Sequence, residues 1–169
     1  MLAIIIKSLW FFLPIGAANI TPVISKNILK SWAVPVSEKW LGSHKTWRGF
    51  ILGILAGEFV YLIQWYGNWE NLSLFNYQDY PWWAGFVLGF AALFGDALKS
   101  FVKRRLGKRP GATWFPFDQI DYTVMGLLIG TIIFPIGWET WVVVIVLGIV
   151  LHILTNNIAY WLKLKDTRW

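Results

Sequence analysis

Three aspartates and a set of lysines stand at spacings that suit polyphosphate chemistry. The first run is Gly95-Asp96-Ala97-Leu98-Lys99-Ser100-Phe101-Val102-Lys103-Arg104-Arg105. On a helix turning about 100° per residue, Asp96, Lys99, Ser100 and Lys103 fall within one arc of roughly 100°. Arg104 borders that arc, and Phe101 and Arg105 lie outside it. Read alone, this face fits an i,i+3 ion pair with snorkelling lysines as well as it fits a phosphate site. The second run is Pro116-Phe117-Asp118-Gln119-Ile120-Asp121. Asp118 is placed to cap a helix and Asp121 to sit in its first turn, three residues apart on one side. Three carboxylates at one depth, in a chain with only nine acidic residues, offer the oxygen donors that Mg²⁺ takes alongside substrate phosphates. The loop between the runs, 106–115, carries Gly107, Lys108, Arg109, Gly111 and Thr113 and can wrap phosphates.

A further basic segment, Gly42-Ser43-His44-Lys45-Thr46-Trp47-Arg48-Gly49, suits either polyanion binding or anchoring at a membrane surface. It lacks the Walker spacing and ending. Other chemistries are excluded by what the chain lacks. With no cysteine there is no thiol nucleophile, disulfide or thiolate metal site. The two histidines, His44 on a loop and His152 on an apolar stretch, make no histidine-based metal site or triad. Asn19, His152, Asn156, Asn157 and Tyr160 are polar groups on apolar stretches, where interhelical hydrogen bonding is the ordinary role. Glu58 is a lone acid near the middle of one such stretch, open between pairing with a lysine and lining a cavity.

The elements that must position these residues are membrane helices. Of 169 residues 57% are hydrophobic and 14% charged, too little polar surface to cover a water-facing globule, whose charged share is typically about 25%. Stretches of about 20 apolar residues are expected at 2–24, 49–65, 82–98 with an extension to 106, 120–137 and 141–162. The first is read as a span, not a cleaved signal, because Asn19-Ile20-Thr21-Pro22 replaces a simple cleavage site. Of the 15 Lys and Arg, 14 fall in 25–48, in 99–119 or after 162. The opposite connections carry Glu70, Asp79 and Glu139 instead. By the positive-inside rule this predicts an all-α integral membrane protein of about five helices in one domain over 1–169. Its N-terminus is outside, its C-terminus cytoplasmic, and its cytoplasmic loops are 25–48 and 99–119. Aromatic residues between 65 and 83 read as an interfacial belt. No internal repeat supports an inverted-repeat transporter.

The arrangement resembles the CDP-archaeol synthases, integral membrane enzymes related to the phosphatidate cytidylyltransferases. Gly95-Asp96-x-x-Lys99-Ser100-x-x-Lys103-Arg104-Arg105 and Pro116-x-Asp118-Gln119-x-Asp121 carry the likeness. It extends to Ala18-Asn19-x-x-Pro22, Gly42-x-x-Lys45-Thr46-x-Arg48-Gly49 and His152-x-x-x-Asn156. Two places depart from it. Pro35-Val36-Ser37 stands where archaeal members tend to have Pro-Ile-Asp, and Gly42-Ser43-His44 where they tend to have Gly-Asp-Gly. The resemblance implies Mg²⁺-dependent transfer of CMP from CTP to a membrane lipid phosphate, giving a CDP-lipid and pyrophosphate. It implies Asp96, Lys99, Lys103, Asp118 and Asp121 as catalytic, with the three aspartates on the metal. It implies Asn19, Lys45, Thr46, Arg48, Ser100, Arg104, Gln119, His152 and Asn156 as CTP- or phosphate-binding. The expected partners are CTP, the lipid phosphate and the bilayer, with the site at the cytoplasmic face of the plasma membrane. No nucleic acid is expected, and no protein partner can be inferred. The alternatives are a phosphatidate cytidylyltransferase acting on ester lipids, and a non-catalytic membrane protein or small transporter that binds anionic lipid.

Overall fold

The computed structural model describes residues 1–67, 69–109 and 112–163. Its helices are α1 (Leu2–Ile24), α2 (Glu38–Leu41), α3 (Trp47–Gly67), α4 (Ala84–Arg105), α5 (Phe117–Ile133) and α6 (Trp138–Trp161). Among the described residues there is no strand, only an isolated bridge between Pro35 and Thr46. The chain is all-helical, as its composition requires, and four helices, α1, α3, α4 and α6, are long and apolar enough to cross a membrane. The 17 residues of α5 rise about 25 Å, at the short end of what spans a hydrocarbon core.

The polarity is that of a protein dissolved in lipid. Exposed rows of large apolar side chains run along the helices: Ile51, Leu55, Phe59 and Ile63 on α3, and Val142, Val146, Val150 and Leu154 on α6. Polar groups such as Ser8, Glu58, Gln64, Gln119, Thr123 and Asn156 are buried inside. In lipid an unpaired backbone group has no water to turn to, and α1 shows how this is met. Pro14 has no N–H for the Trp10 carbonyl four residues back, and the buried Gln64 amide donates to that carbonyl at 2.6 Å. Glu58 resolves its two sequence readings into a third role. Its Oε2 accepts the Phe86 N–H at 2.9 Å, so α3 supplies the cap that the first turn of α4 needs.

Glycines bring the helices together. A Cβ at Gly53 would lie 2.7 Å from the Ala18 carbonyl oxygen and 2.8 Å from Leu93, and one at Gly57 3.1 Å from the Gly89 Cα. Small residues four apart on α3 (Gly49, Gly53, Gly57) and α4 (Gly85, Gly89) let backbones approach closely, the usual way helices associate where lipid supplies no hydrophobic drive. The pairings 22 with 49, 18 with 53 and 14 with 57 run in opposite directions, as do 53 with 93 and 57 with 89. Successive long helices therefore alternate, and the basic connections 25–46 and 106–116 share one end of the bundle.

The sequence expectation shifts in three places. The fourth apolar stretch is helical over Phe117–Ile133, not 120–137, because Phe134 precedes Pro135 and is extended at φ −120°, ψ 146°. α6 consequently starts at Trp138, and Glu139 sits in its first turn instead of a connecting loop. Of the expected aromatic belt, Tyr66, Trp82 and Trp83 are exposed, but Tyr77 is core, packed against Tyr61, Phe75 and Phe134. Lys165 and Arg168 lie outside the described residues, as does Gly111.

The close approach at Gly53 yields a stability test. Gly53→Ala meets helix backbone and should lower unfolding free energy in detergent by about 1–3 kcal/mol, the usual range for overpacking. An unchanged denaturation midpoint would show that α1 and α3 are not held at this distance.

Candidate active site

The basic end of the bundle gathers charged side chains from three segments. The strand-like stretch before α3 contributes Lys45: Val36 donates its N–H to the Lys45 carbonyl at 2.8 Å, and Trp47 to that of Val34 at 3.0 Å. The last three turns of α4 contribute Asp96, Lys99 and Lys103, and the first two turns of α5 contribute Asp118 and Asp121. Gly95 permits the approach of α4 and α5, for a Cβ there would lie 2.5 Å from the Asp121 carbonyl oxygen.

Lys99 stands at the centre. Its Nζ is 3.2 Å from Asp96 Oδ1, 3.0 Å from Asp118 Oδ1 and 2.7 Å from Asp121 Oδ2. Lys45 pairs with Asp96 Oδ2. Lys103, buried, pairs with Asp118 Oδ1 at 3.1 Å and donates to the Ala112 carbonyl. Three ammonium and three carboxylate groups thus alternate in one network. Away from bulk water such charges persist only when each has an opposite partner close by. Lys99 is the member whose partners come from both helices.

The one-arc reading of α4 holds: Asp96, Lys99 and Lys103 join the network. Ser100 follows on the same face but returns its hydroxyl to the Asp96 carbonyl at 2.8 Å. Arg105 is turned away, as the arc requires, and stacks over Trp40 and Phe101. Two details of α5 differ from expectation. Pro116 holds the N-cap position, so Asp118 is the second helical residue and not the cap; its Oδ2 accepts the Trp114 N–H instead, which ties the preceding loop down. Asp121, correspondingly, opens the second turn.

The remaining residues take places outside the network. Thr46 Oγ1 accepts the Gly49 N–H at 3.2 Å and starts α3. Arg48 is buried and donates to the carbonyls of Lys26 and Ile28 at 3.1 and 3.0 Å, pinning the segment that follows α1. Arg104 donates to the Arg109 carbonyl at 2.9 Å. Asn19 is half-buried on α1. Gln119 is buried on α5, its Oε1 without a hydrogen-bond donor among the described residues. His152 and Asn156 lie on α6, where the His152 ring faces Tyr122, next in sequence to Asp121, at 5.8 Å between centroids. Ser37 caps α2 by accepting the Trp40 N–H at 3.4 Å. Aspartate makes an equally good cap, so this departure from the archaeal pattern preserves the local structure. α2 itself has no periodic signature at four residues and could be found in sequence only through Ser37 and Gly42, whose φ of 87° ends it.

The donor set is chemically right for a hard divalent cation: carboxylate oxygens alone, from positions that already converge on one positive charge. Neither Asp121 oxygen receives a well-formed hydrogen bond among the described residues, and the Lys99 ammonium is a close partner at 2.7 Å. Among the described residues no group of three or more acidic or histidine side chains stands ready as a metal cage, and Lys99 lies between the three aspartates.

Fold and site together define a helical membrane protein with a carboxylate–lysine centre suited to phosphate-bearing molecules. The profile of the CarS-like CDP-archaeol synthase family matches residues 1–169. Among curated proteins, the CDP-archaeol synthase of Methanopyrus kandleri is 38% identical over 96% of this chain and 92% of its own length. That of Methanocaldococcus jannaschii is 34% identical over 98% of each chain, and that of Archaeoglobus fulgidus 32% identical over the whole of both. No solved structure matches the chain. The chain belongs to the CDP-archaeol synthase family. It is accordingly a nucleotidyltransferase that moves a cytidylyl group from CTP to a lipid, and the transporter and non-catalytic readings fall away.

The central position of Lys99 makes a prediction independent of turnover. Lys99→Met leaves three carboxylates facing one another and should cost about 3–5 kcal/mol of stability, the cost of removing one partner from a buried ionic group. Added Mg²⁺ should recover more stability in the variant than in the wild type. Thermal unfolding with and without the cation measures both, and equal stability of variant and wild type would show that the network does not hold the helices.

Proposed function

We propose that the chain transfers CMP from CTP to the phosphate of an archaeol-type membrane lipid, with Mg²⁺ as cofactor, at the end of the bundle where Lys99 meets three aspartates. That convergence is the observation that carries the reading. A lipid phosphate monoester is already a nucleophile at neutral pH, so no side chain need be activated. Its oxygen attacks the α-phosphorus of CTP, the new P–O bond forms in line with the breaking bond between that phosphorus and the β-bridging oxygen, and pyrophosphate leaves with the bonding pair. Such a displacement asks the protein for positioning and charge neutralisation.

The chain's residues are suited to both. Lys45, Lys99 and Lys103 neutralise phosphate oxygens. Asp96, Asp118 and Asp121 would hold Mg²⁺, which when bound screens the triphosphate and the departing pyrophosphate. The Trp114–Asp118 and Lys103–Ala112 hydrogen bonds keep the loop before α5 against the site. Gln119, His152 and Asn156 line the approach from α5 and α6 in this reading, and Asn19, Thr46, Arg48, Ser100 and Arg104 support the CTP side. A centre at the ends of membrane helices serves a reaction with one substrate from water and one from lipid.

We further propose that residues 1–169 form one transmembrane domain of five spans in the plasma membrane, N-terminus outside, with the basic end cytoplasmic. The charge segregation and the alternating helices support it. A cysteine introduced at position 108 should resist an impermeant thiol reagent added outside intact cells; labelling there would reverse the orientation.

Turnover of CTP into lipid by the purified protein tests the reaction. Asp118→Asn keeps the Trp114 N–H bond through its amide oxygen but loses a charge, and should fold while losing Mg²⁺-dependent turnover. Lys103→Ala should lose about 10²–10³-fold, on the scale of removing one transition-state donor. Arg105→Ala, on the far face of α4, should lose far less. Similar, mild losses at Lys103 and Arg105 would make this helix end a general basic anchor and move the site elsewhere.

A further inference from the structure

The far side of α4 carries a second polar feature, of which the proposed reaction uses Arg104 alone. Lys39, Trp40, Phe101, Arg104 and Arg105 line a cleft of about 200 Å³ between α2 and α4. Trp40 and Phe101 stack at 5.5 Å with 18° between their planes. The Arg105 guanidinium lies 4.5 Å from the Trp40 ring and 5.3 Å from that of Phe101, and Lys39 Nζ 5.7 Å from Trp40. Among the described residues no carboxylate lines the cleft, and there the cations have rings for partners. Arg104 Nε and Nη1 are buried and donate to no group among the described residues. The cleft is thus lined by three cations, Lys39, Arg104 and Arg105.

Its position relative to the lipid-facing surface is the second observation. Phe101 and Arg105 stand about 140° and 180° round the helix from Asp96. The exposed apolar row of α4, Phe90, Phe94, Leu98 and Val102, is centred on the same face and ends at Arg105. An apolar track about 18 Å long therefore leads into a cationic, ring-floored cleft at the basic end of the bundle. This surface fits one ligand chemistry, a phosphate head carrying a long apolar chain.

We propose that this cleft binds an anionic phosphodiester lipid of the surrounding bilayer, distinct from the acceptor that reacts near Lys99. The phosphate sits among Lys39, Arg104 and Arg105, and a chain lies along Phe90–Val102. Free phosphate lacks the chain and a zwitterionic lipid carries its own cation against the cleft, so neither fits as well. Arg104 also holds the Arg109 carbonyl. A lipid phosphate that pairs with the Arg104 guanidinium charge thereby fixes the side chain that holds the Arg109 carbonyl. The assignment does not depend on the reaction, because none of Lys39, Trp40, Phe101 and Arg105 belongs to the carboxylate–lysine network.

Native mass spectrometry of the delipidated full chain, titrated in detergent with an anionic phosphodiester lipid, reads the site directly. The wild type should retain one tightly held lipid, and a zwitterionic lipid with the same chains should be held at least ten-fold more weakly. Lys39→Ala with Arg105→Ala should weaken the anionic lipid about thirty-fold, since each basic residue near the surface contributes about five-fold. Arg105→Lys should fall between, keeping charge but losing the planar stack. Lys30→Ala, an exposed cation elsewhere on the same end, should change it less than about two-fold. Millimolar inorganic phosphate should not displace the lipid. Asp118→Asn, whatever its turnover, should keep it, which separates this site from the proposed reaction. Equal retention in the double variant, equal loss at Lys30, or equal binding of the zwitterionic lipid would each overturn the site. All variants change exposed side chains or a helix end, and an unchanged thermal midpoint confirms that loss of lipid is not loss of fold.

Discussion

The ammonium of Lys99 lies within 3.2 Å of carboxylates at three positions on two helices, and the geometry of the basic end follows from keeping it there. Three ionised aspartates brought together away from bulk water repel one another and lose hydration. A cation among them removes both difficulties at once. Gly95 gives up a side chain so that α5 can come near enough. Lys103 and Lys45 then complete the balance from either flank, and their own chain segments are drawn in with them. Local elements that look independent in sequence are therefore coupled through one charge.

That coupling also explains the division of labour among the basic residues. Those inside the network face carboxylates. Those outside it have other work. Arg48 closes the backbone of the segment after α1, and Arg105 rests on aromatic faces. Similar side chains only two residues apart, as Lys103 and Arg105 are, end in different surroundings because the helix turns them about 200° from each other.

Much of this was legible in the residues. Hydropathy located the long helices, since lipid imposes length and polarity on any span. The 100° rotation of a helix assigned Asp96, Lys99 and Lys103 to one face and turned Arg105 from it. The facing partner was not legible. Periodicity tells which side chains share a face, not which helix stands opposite, so Lys99 as the common partner of three aspartates emerged only with α4 and α5 in contact. Glu58 was likewise ambiguous, because a carboxylate that caps a different helix leaves no local trace. The resemblance implied phosphate contacts for Thr46 and Arg48, and periodicity left no trace of the backbone bonds that they also make. The glycines of α3 and α4 did carry a signal in their four-residue spacing, and it marked helix contacts instead of chemistry.

The brevity of α5 has its own bearing on the surrounding bilayer. Its 17 residues rise about 25 Å, against about 36 Å for the 24 of α6. A span shorter than the hydrocarbon thickness draws the nearby lipid surface inward, a hydrophobic mismatch that costs fractions of a kcal/mol per ångström. Asp118 and Asp121 stand at one end of that short helix. Were α5 to span the bilayer in this way, the headgroup layer on that flank would dip toward the carboxylates, and a lipid phosphate would come level with them while its chains stayed in oil.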